Sequence, residues 1–379
     1  MNSEGEHSVN DRFDRWARLL LFTFGEGRAG RATNPFTMKI KILCTLGPAS
    51  LRGDVIRALE ERGVDLFRIN LSHTPPEAVE PTITLIRRYS NVPICLDSQG
   101  AQVRCGKMAE GVILTAGTQV RLCAADVMGG ADQMTLWPAS AFASMRPGDL
   151  IHVDFDGALM QVMDVADDHT SAQAVVLDGG RVKSNRAVVM DPPPSLGPIT
   201  DKDVTAIEIG VRLGIRHYAL SFASSAADVE LIRALIPEGS TVISKIESRA
   251  GVRNRDEIID ASDAVLIDRG DLSREVPVEY VPYYQKAIVR QANRWNTPVY
   301  VATNLLESMV THRKATIAEM NDIANTLLDG VHGLVLAAET AMGVDPVGAV
   351  DAVMRCIKAF EHTSMGALLE EDRLGRLAS

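Results

Sequence analysis

Ionisable side chains directly follow two short apolar runs in the segment 241–275. The first run ends at Lys245 and Glu247, and the second ends at a charged stretch that includes Asp271. Both runs are continuous and β-branched, which is typical of buried parallel strands, and residues 251–262 between them favour a helix. Two carboxylates at neighbouring strand ends suit a Mg²⁺ ion that keeps waters and takes phosphate oxygens, with the Lys245 ammonium beside it. Plain salt bridges at strand ends are the alternative interpretation.

The alternation of strand-like and helix-like segments predicts the element that would bring these groups together. Eight apolar runs are predicted as strands: 39–47, 64–72, 92–98, 216–222, 241–247, 264–271, 298–303 and 333–339. A helix-like segment follows every run except the third, after which come short strand-like pieces: 112–117, 118–124, 149–155, 158–164 and 172–180. We therefore expect an α/β fold, a TIM (β/α)8 barrel with a small β-barrel domain inserted after strand 3. Such barrels carry their chemistry at the carboxyl ends of the strands.

The predicted domain boundaries follow from this alternation. The barrel is expected to comprise residues 38–100 and 198–365, and the inserted lid domain is expected to comprise residues 101–197. Residues 1–37 differ in character and are predicted to be an N-terminal extension, helical or disordered, and residues 366–379 a tail.

The composition is that of a globular protein without nucleic-acid or membrane partners. Hydrophobic residues make up 46% of the chain and charged residues 23%, and the formal net charge of -10 disfavours nonspecific binding to DNA or anionic membranes. No apolar run approaches the length that spans a bilayer, and no secretory signal is recognisable near the start. Five cysteines without a CxxC pair fit a reducing compartment, so we expect a cytoplasmic protein.

Further polar side chains stand where the other predicted strands end. They are Thr45, Arg68, Asn70, Ser72, Asp97, Ser221, Thr303 and Glu339. Arg68 and Lys245 would clamp a phosphoryl group, because a planar guanidinium and a compact ammonium make complementary phosphate contacts. The oxygens of Asn70, Ser72 and Asp97 would be able to surround a monovalent cation. Turn closure or helix capping explains each of them singly, whereas the whole set favours phosphoryl or enolate chemistry on a small anion, with a metal ion as electrophile.

Several motifs resemble those of the pyruvate kinase family, and the similarity extends from Lys41 to about Phe360. In family order they are TLGPAS at 45–50, FRINLSH at 67–73, LDSQG at 96–100, ISKIES at 243–248, DRGDLSREVP at 268–277, ATNLLESM at 302–309, DIANTLLDG at 322–330 and AAETAMG at 337–343. The resemblance implies the same fold that the pattern predicts. It also implies transfer of a phosphoryl group from phosphoenolpyruvate to ADP, which leaves an enolate to be protonated to pyruvate.

The resemblance implies catalytic or substrate-binding roles for five residues. Lys245 would stabilise the phosphoryl group in flight and the enolate, and Arg68 would hold the phosphate. Thr303 would contact the substrate near the carbon that is protonated. The backbone amides of Gly270 and Asp271 would receive the substrate carboxylate at the start of a helix.

The resemblance also implies metal and nucleotide sites. Glu247 and Asp271 would bind Mg²⁺ or Mn²⁺. The implied K⁺ ligands are Asn70, Ser72, Asp97 and the carbonyl of Ser98, and the implied nucleotide-binding residues are Pro48, Asn70, Arg104 and Lys202. Dependence on K⁺ stays open, because Gln102 occupies the position at which the family has Glu or Lys.

Two departures from the family pattern bear on assembly and on the acceptor. The family's third domain, with its effector sites and tetramer contacts, has no counterpart in this sequence, so we expect a homo-oligomer, a dimer, in place of the regulated tetramer. Basic residues of the family are replaced by Gln99 after strand 3 and by Ser224 and Ser225 after strand 4, whereas Arg274 is an additional cation after the GDL motif.

Three functional hypotheses follow from these departures. The first is a pyruvate kinase. The second is a paralogue that uses the same metal–enolate site as a 2-oxo acid decarboxylase or lyase, or on a different phosphoryl acceptor, with Arg274 binding an extra anionic group. The third is a non-catalytic phosphoenolpyruvate sensor. Turnover of oxaloacetate without nucleotide would indicate the second hypothesis, and binding without turnover would indicate the third.

Overall fold

A computed structural model describes residues 39–100, 102–154, 157–194 and 196–362. The predicted N-terminal extension, 1–37, and the predicted tail, 366–379, lie outside the described residues. The chain begins as two strand–helix units and a third strand: β1 (Lys41–Thr45), α1 (Gly53–Glu61), β2 (Leu66–Asn70), α2 (Pro76–Tyr89) and β3 (Ile94–Asp97).

The segment after β3 folds as a separate β structure. Its strands are β4 (Arg104–Cys105), β5 (Ile113–Leu114), β6 (Gln119–Cys123), β7 (Gln133–Trp137), β8 (Leu150–Val153), β9 (Ala158–Val165), β10 (Ser171–Asp178), β11 (Gly180–Arg181) and β12 (Val188–Asp191). Seven of them form one sheet in the order β12-β8-β9-β10-β6-β7-β4, while β5 pairs with β11. The N–H of Cys105 donates to the carbonyl of Arg186 at 2.9 Å, and that of Val188 to Val103 at 2.8 Å. The sheet therefore nearly closes on itself, around a core that includes Phe142.

The strand–helix alternation resumes after the insert. The remaining elements are α3 (Asp201–Arg212), β13 (His217–Leu220), α4 (Ala226–Leu235), β14 (Thr241–Ile246), α5 (Arg249–Arg253), α6 (Arg255–Ala261), β15 (Ala264–Asp268), α7 (Arg269–Glu275), α8 (Val281–Trp295), β16 (Val299–Ala302), α9 (Ile317–Leu328), β17 (Gly333–Leu336), α10 (Ala338–Ala341) and α11 (Pro346–His362). Short 3₁₀ turns occur at Ala139–Ser144, Val278–Tyr280 and Glu307–Val310.

Eight parallel strands close into a barrel in the order β1-β17-β16-β15-β14-β13-β3-β2. Closure is made where β1 pairs with β17, with Lys41 opposite Gly333. The predicted fold class, a TIM barrel with an inserted β structure, is confirmed. The strands read as continuous apolar runs because one face packs on the helices and the other fills the barrel, where Leu43, Ile243 and Tyr300 form part of an interior cluster.

One buried carboxylate joins the two points at which the chain leaves and re-enters the barrel. Asp203, in the first turn of α3, accepts hydrogen bonds from the N–H groups of Gln99 at 2.6 Å, Gly100 at 3.1 Å and Thr200 at 3.1 Å. The Thr200 hydroxyl also donates to Asp203 at 2.8 Å, within a capping box. The exit to the insert and the return from it are therefore held side by side.

None of the helices in the described ranges combines the length and the apolar composition that a membrane span requires.

Candidate active site

Because side chains alternate between the two faces of β14, two ionisable groups point into the barrel. Ile243 belongs to the interior apolar cluster, and Ile246 packs in the outer layer beneath the helices. Lys245 and Glu247, two and four residues after Ile243, share its inward face. Both are buried, with 5% and 0% of their surface exposed, so their charges are removed from water at the carboxyl end of the barrel.

The ammonium of Lys245 lies among three carboxylates. Its Nζ is 3.2 Å from Glu247 Oε2, 3.5 Å from Asp97 Oδ1 and 3.9 Å from Asp268 Oδ2. Burial alone would lower the pKa of Lys245, but the charges of Asp97, Glu247 and Asp268 outweigh burial and raise this pKa above its ordinary value. The side chain is thus a fixed positive charge at any ordinary pH.

Three carboxylates converge beside this ammonium. One oxygen each from Glu247, Asp268 and Asp271 lies within 4.8 Å of the others. Asp268 was not among the predicted metal ligands, although it stands at the start of the charged stretch after strand 6. Its carboxylate caps α7, accepting from the N–H of Gly270 at 3.1 Å and of Asp271 at 3.4 Å. An Asp immediately before a short helix is a capping signal that would have identified it.

The pKa values of the three acids reflect burial and mutual repulsion. Burial, reinforced by the charges of Asp271 and Asp268, raises the pKa of Glu247 although Lys245 opposes it. Burial and the charge of Asp268 likewise raise the pKa of Asp271. Burial would also raise the pKa of Asp268, but Lys245, Arg68 and a hydrogen bond from Thr303 hold it below the ordinary range. The cluster is one in which negative charge is crowded.

Arg68 extends the site along β2. Its Nη1 lies 3.0 Å from Asp97 Oδ2, and its Nε donates to Thr45 Oγ1 at 2.8 Å. The guanidinium is buried, and although burial alone would lower its pKa, the charges of Asp97 and Asp268 raise it. Arg68 and Lys245 therefore share the carboxylate of Asp97 and present two permanent cations to the barrel mouth.

Comparison with known proteins identifies the family to which this chain belongs. A family model described as the barrel domain of pyruvate kinase matches residues 37–350. The chain belongs to the pyruvate kinase family. The pyruvate kinases of Mycobacterium tuberculosis (strain H37Rv) and Corynebacterium efficiens are each 35% identical to it over 341 and 333 residues, which cover 87% and 85% of this chain and 72% and 70% of those proteins.

For a third relative, the match covers a smaller share of the relative's length. The pyruvate kinase of Geobacillus stearothermophilus is 35% identical over 340 residues, 86% of this chain and 58% of that protein. The relatives support the coarse assignment of an enzyme of the phosphotransferase class.

The substrate-side residues expected from the family lie next to one another. The Thr303 hydroxyl donates to Asp268 Oδ1 at 2.8 Å, and Thr303 itself has a φ of 70°, which a β-branched residue rarely adopts. Its carbonyl accepts from the Arg269 guanidinium at 3.0 and 2.9 Å, and these bonds hold the unusual backbone in place. A Cβ on Gly270 would lie 2.7 Å from Thr303 Cγ2, so a side chain there would force Thr303 to move. The amides of Gly270 and Asp271 donate to Asp268, and a substrate carboxylate would have to share them.

The chemistry of this donor set fits a hard divalent cation. All three converging groups are carboxylates, the ligands that Mg²⁺ and Mn²⁺ prefer. Glu247 Oε1 accepts from the N–H of Phe222 at 2.9 Å, whereas within the described residues Oε2 is buried and accepts no hydrogen bond, and the Lys245 Nζ lies 3.2 Å from it. Buried carboxylates that repel one another are stabilised when a cation binds between them.

The residues predicted to bind K⁺ have partners within the protein. Asn70 Oδ1 accepts from the N–H of Ser72 at 2.9 Å, which is a turn closure. The carbonyl of Ser98 accepts from Ser221 Oγ at 2.6 Å, and Asp97 is paired with the two cations described above. A K⁺ ion at these oxygens stays a prediction.

The predicted nucleotide-binding cations lie on the side of the site that faces the insert. Arg104, on β4, donates to the carbonyl of Asn185 at 3.1 Å, and Lys202, on α3, donates to Gln99 Oε1 at 3.2 Å. Burial, followed by the charges of Arg104, Lys202 and Arg68, lowers the pKa of His73, so each of these three cations lies within electrostatic range of His73. Across the described part of the chain, neither Arg104 nor Lys202 forms an ion pair. Pro48 is exposed in the loop after β1.

Proposed function

We propose that this chain transfers the phosphoryl group of phosphoenolpyruvate to ADP and so produces pyruvate and ATP. The observation that supports this most directly is the position of the Lys245 ammonium, 3.2 Å from Glu247 and beside the three converging carboxylates at the barrel mouth. A permanent cation next to a divalent-metal site is what phosphoryl transfer to and from an enolate requires, because negative charge develops on both fragments. Membership of the pyruvate kinase family supports the same reaction.

The chain's own residues would divide this chemistry between them. Arg68 would hold the phosphate through its guanidinium, and Lys245 would balance the charge of the phosphoryl group in flight and of the enolate oxygen. Thr303, whose hydroxyl is held toward the site by Asp268, would contact the substrate near the carbon that gains a proton. The burial of these groups excludes water and strengthens each electrostatic contact.

Glu247, Asp268 and Asp271 are the residues that would hold Mg²⁺ or Mn²⁺. When bound, such an ion supplies a Lewis acid to the substrate oxygens. On the nucleotide side, Arg104 and Lys202 would bind the phosphates of ADP, with Asn70 nearby and Pro48 next to the base.

The test is steady-state turnover of phosphoenolpyruvate and ADP with Mg²⁺, with and without K⁺. Lys245→Met should lower kcat by about a hundred- to a thousandfold, since it removes the principal charge-stabilising group. The matched control is Lys314→Met, which removes an exposed ammonium outside the site and should leave kcat unchanged. Circular dichroism checks that both variants are folded. Full activity of Lys245→Met would exclude the proposed role.

The same assays separate the other two hypotheses. Turnover of oxaloacetate without nucleotide, in a protein inactive with ADP, would indicate a decarboxylase or lyase on this site. Binding of phosphoenolpyruvate in calorimetry without turnover of any acceptor would indicate a sensor.

Two further assignments belong to this proposal. A cytoplasmic location is supported by five cysteines that are all free. The expected homodimer stays a prediction. Sedimentation velocity would report the number of subunits directly.

A further inference from the structure

Arg274 stands one helical turn after Asp271 and contacts it directly. Both lie on α7, and Arg274 Nη1 is 2.8 Å from Asp271 Oδ1. The contact fixes the guanidinium at the outer edge of the carboxylate cluster, where 34% of the Arg274 side chain is exposed. The residue is therefore reachable from solvent and adjacent to a group that would bind the metal.

Stability alone gives little reason for this arginine. A partly exposed ion pair between residues three apart on a helix contributes about 0.3–0.5 kcal/mol. Within the described residues, the contact with Asp271 is the one hydrogen bond that the Arg274 guanidinium makes. A guanidinium has five N–H donors, so most of its capacity to bind an anion remains.

Arg104 of the insert lies within electrostatic range of Arg274. Burial lowers the pKa of Arg104, the charges of Arg274 and Arg186 lower it further, and only Asp271 and Cys105 oppose them. Arg104 and Arg186 belong to the insert, whereas Arg274 belongs to the barrel, so Arg104 lies within electrostatic range of a cation from each part of the chain. Arg186 is paired with Asp154 at 3.3 Å, whereas the charges of Arg104 and Arg274 repel each other, and an anion with several oxygens would stabilise both.

We propose that Arg274 is a specificity-determining residue that binds the terminal phosphate of the nucleoside diphosphate acceptor from the barrel side, opposite Arg104. This assignment depends on the proposed function. The phosphate that accepts the transferred group must come close to the divalent-metal site, and Arg274 is the guanidinium in direct contact with one of that site's carboxylates. It would supply on the barrel side a positive charge that Ser224, Ser225 and Gln99 do not provide.

The experiment compares Arg274→Gln and Arg274→Lys with wild type in three measurements: turnover, ADP binding by calorimetry, and Mn²⁺ binding by electron paramagnetic resonance. The matched control is Arg212→Gln, because Arg212 also lies in the last turn of a helix and pairs with an exposed carboxylate, Glu80, at 2.5 Å. Arg274→Gln should raise the KM and the Kd for ADP about ten- to a hundredfold, the cost of one charge-assisted contact. In Arg274→Gln, the KM for phosphoenolpyruvate should not rise and the affinity for Mn²⁺ should not fall. Arg274→Lys should recover part of the lost ADP affinity.

Each other result overturns the assignment in a different way. If Arg274→Gln binds ADP like wild type while wild type turns over, Arg274 is not an acceptor-binding residue and the proposed function stands. If Mn²⁺ and phosphoenolpyruvate binding weaken and ADP binding does not, Arg274 only positions Asp271. If wild type itself neither binds ADP nor turns over while it still binds Mn²⁺, the proposed function and this assignment both fail.

Discussion

Replacing Asp203 tests whether a single carboxylate secures both connections between barrel and insert. Asp203→Ala removes the acceptor of three backbone N–H groups and of the Thr200 hydroxyl. Asp203 has 0% of its surface exposed, so its hydrogen bonds could be replaced only by water that enters the cavity left by the substitution. The change should therefore loosen Gln99, Gly100 and Thr200 together.

The loss in the free energy of unfolding depends on how well water can reach each unpaired N–H group. A buried donor without a partner costs about 1–3 kcal/mol. Gly100 is buried and should incur this cost in full, whereas Gln99 and Thr200 are half-buried and should be partly rehydrated. The bond from the backbone N–H of residue 203 to the Thr200 hydroxyl survives the change, so these costs together give a decrease of about 2–5 kcal/mol in the free energy of unfolding.

Urea unfolding followed by circular dichroism measures this loss. Asp201→Ala is the matched control, because Asp201 lies in the same first turn of α3, is exposed, and should contribute only a few tenths of a kcal/mol through the helix dipole. Hydrogen exchange should also rise in the segments around Gly100 and Thr200 in the Asp203→Ala protein. A loss below about 1 kcal/mol, or one no larger than that of Asp201→Ala, would refute the reasoning.

Two further predictions concern the metal site and the pH dependence of stability. Asp268→Asn should weaken Mn²⁺ binding by about tenfold or more, because it replaces a charged ligand by a neutral one, and unchanged affinity in electron paramagnetic resonance would remove Asp268 from the site. Burial, followed by the charge of Lys41, lowers the pKa of His332, whose Nδ1 accepts from the N–H of Val299 at 3.3 Å. The unfolded chain therefore binds the proton more readily, so this contribution to stability is present above the ordinary His pKa and is lost as the pH falls below it. Urea unfolding between pH 7.5 and 5.5 should show a smaller decrease in the free energy of unfolding for His332→Gln than for wild type. The same pH dependence in both proteins would contradict this role of His332.

The barrel was predictable because each of its strands is buried on both faces and therefore reads as an uninterrupted apolar run. The ends of the runs were less certain. Strand 6 was predicted to extend to Asp271, but it ends at Asp268, whose carboxylate caps a helix that starts at the next residue. The predicted helix at 251–262 is two short helices that meet at Asn254. Capping is a contact of three or four atoms, and hydrophobic periodicity does not register it.

The insert and the centre of the site show where sequence patterns lose information. The strand-like pieces predicted in the insert correspond to β5, β6, β8, β9 and β10, but β4, β7 and β12 were missed, β11 was not separated from β10, and the order in which the strands pair was not predicted. At the site, Lys245, Glu247 and Asp271 were predicted together because parallel strands end at the same rim. Asp97 was expected to bind a cation or cap a helix, and its pairing with Arg68 and Lys245 depends on side chains that meet across the barrel interior. Neighbours of that kind have no fixed separation in sequence.

The hydrogen bond from the main chain of Phe222 to Glu247 has a consequence for engineering. Phe222 has a φ of 53° and lies in the loop after β13, so one oxygen of a proposed metal ligand depends on the backbone conformation of a neighbouring loop. Remodelling that loop, in length or in its serines, would swing the Glu247 carboxylate without touching any residue of the cluster. A library aimed at changing the ion that the proposed site prefers should therefore diversify the loop around Phe222 before it alters the acids themselves.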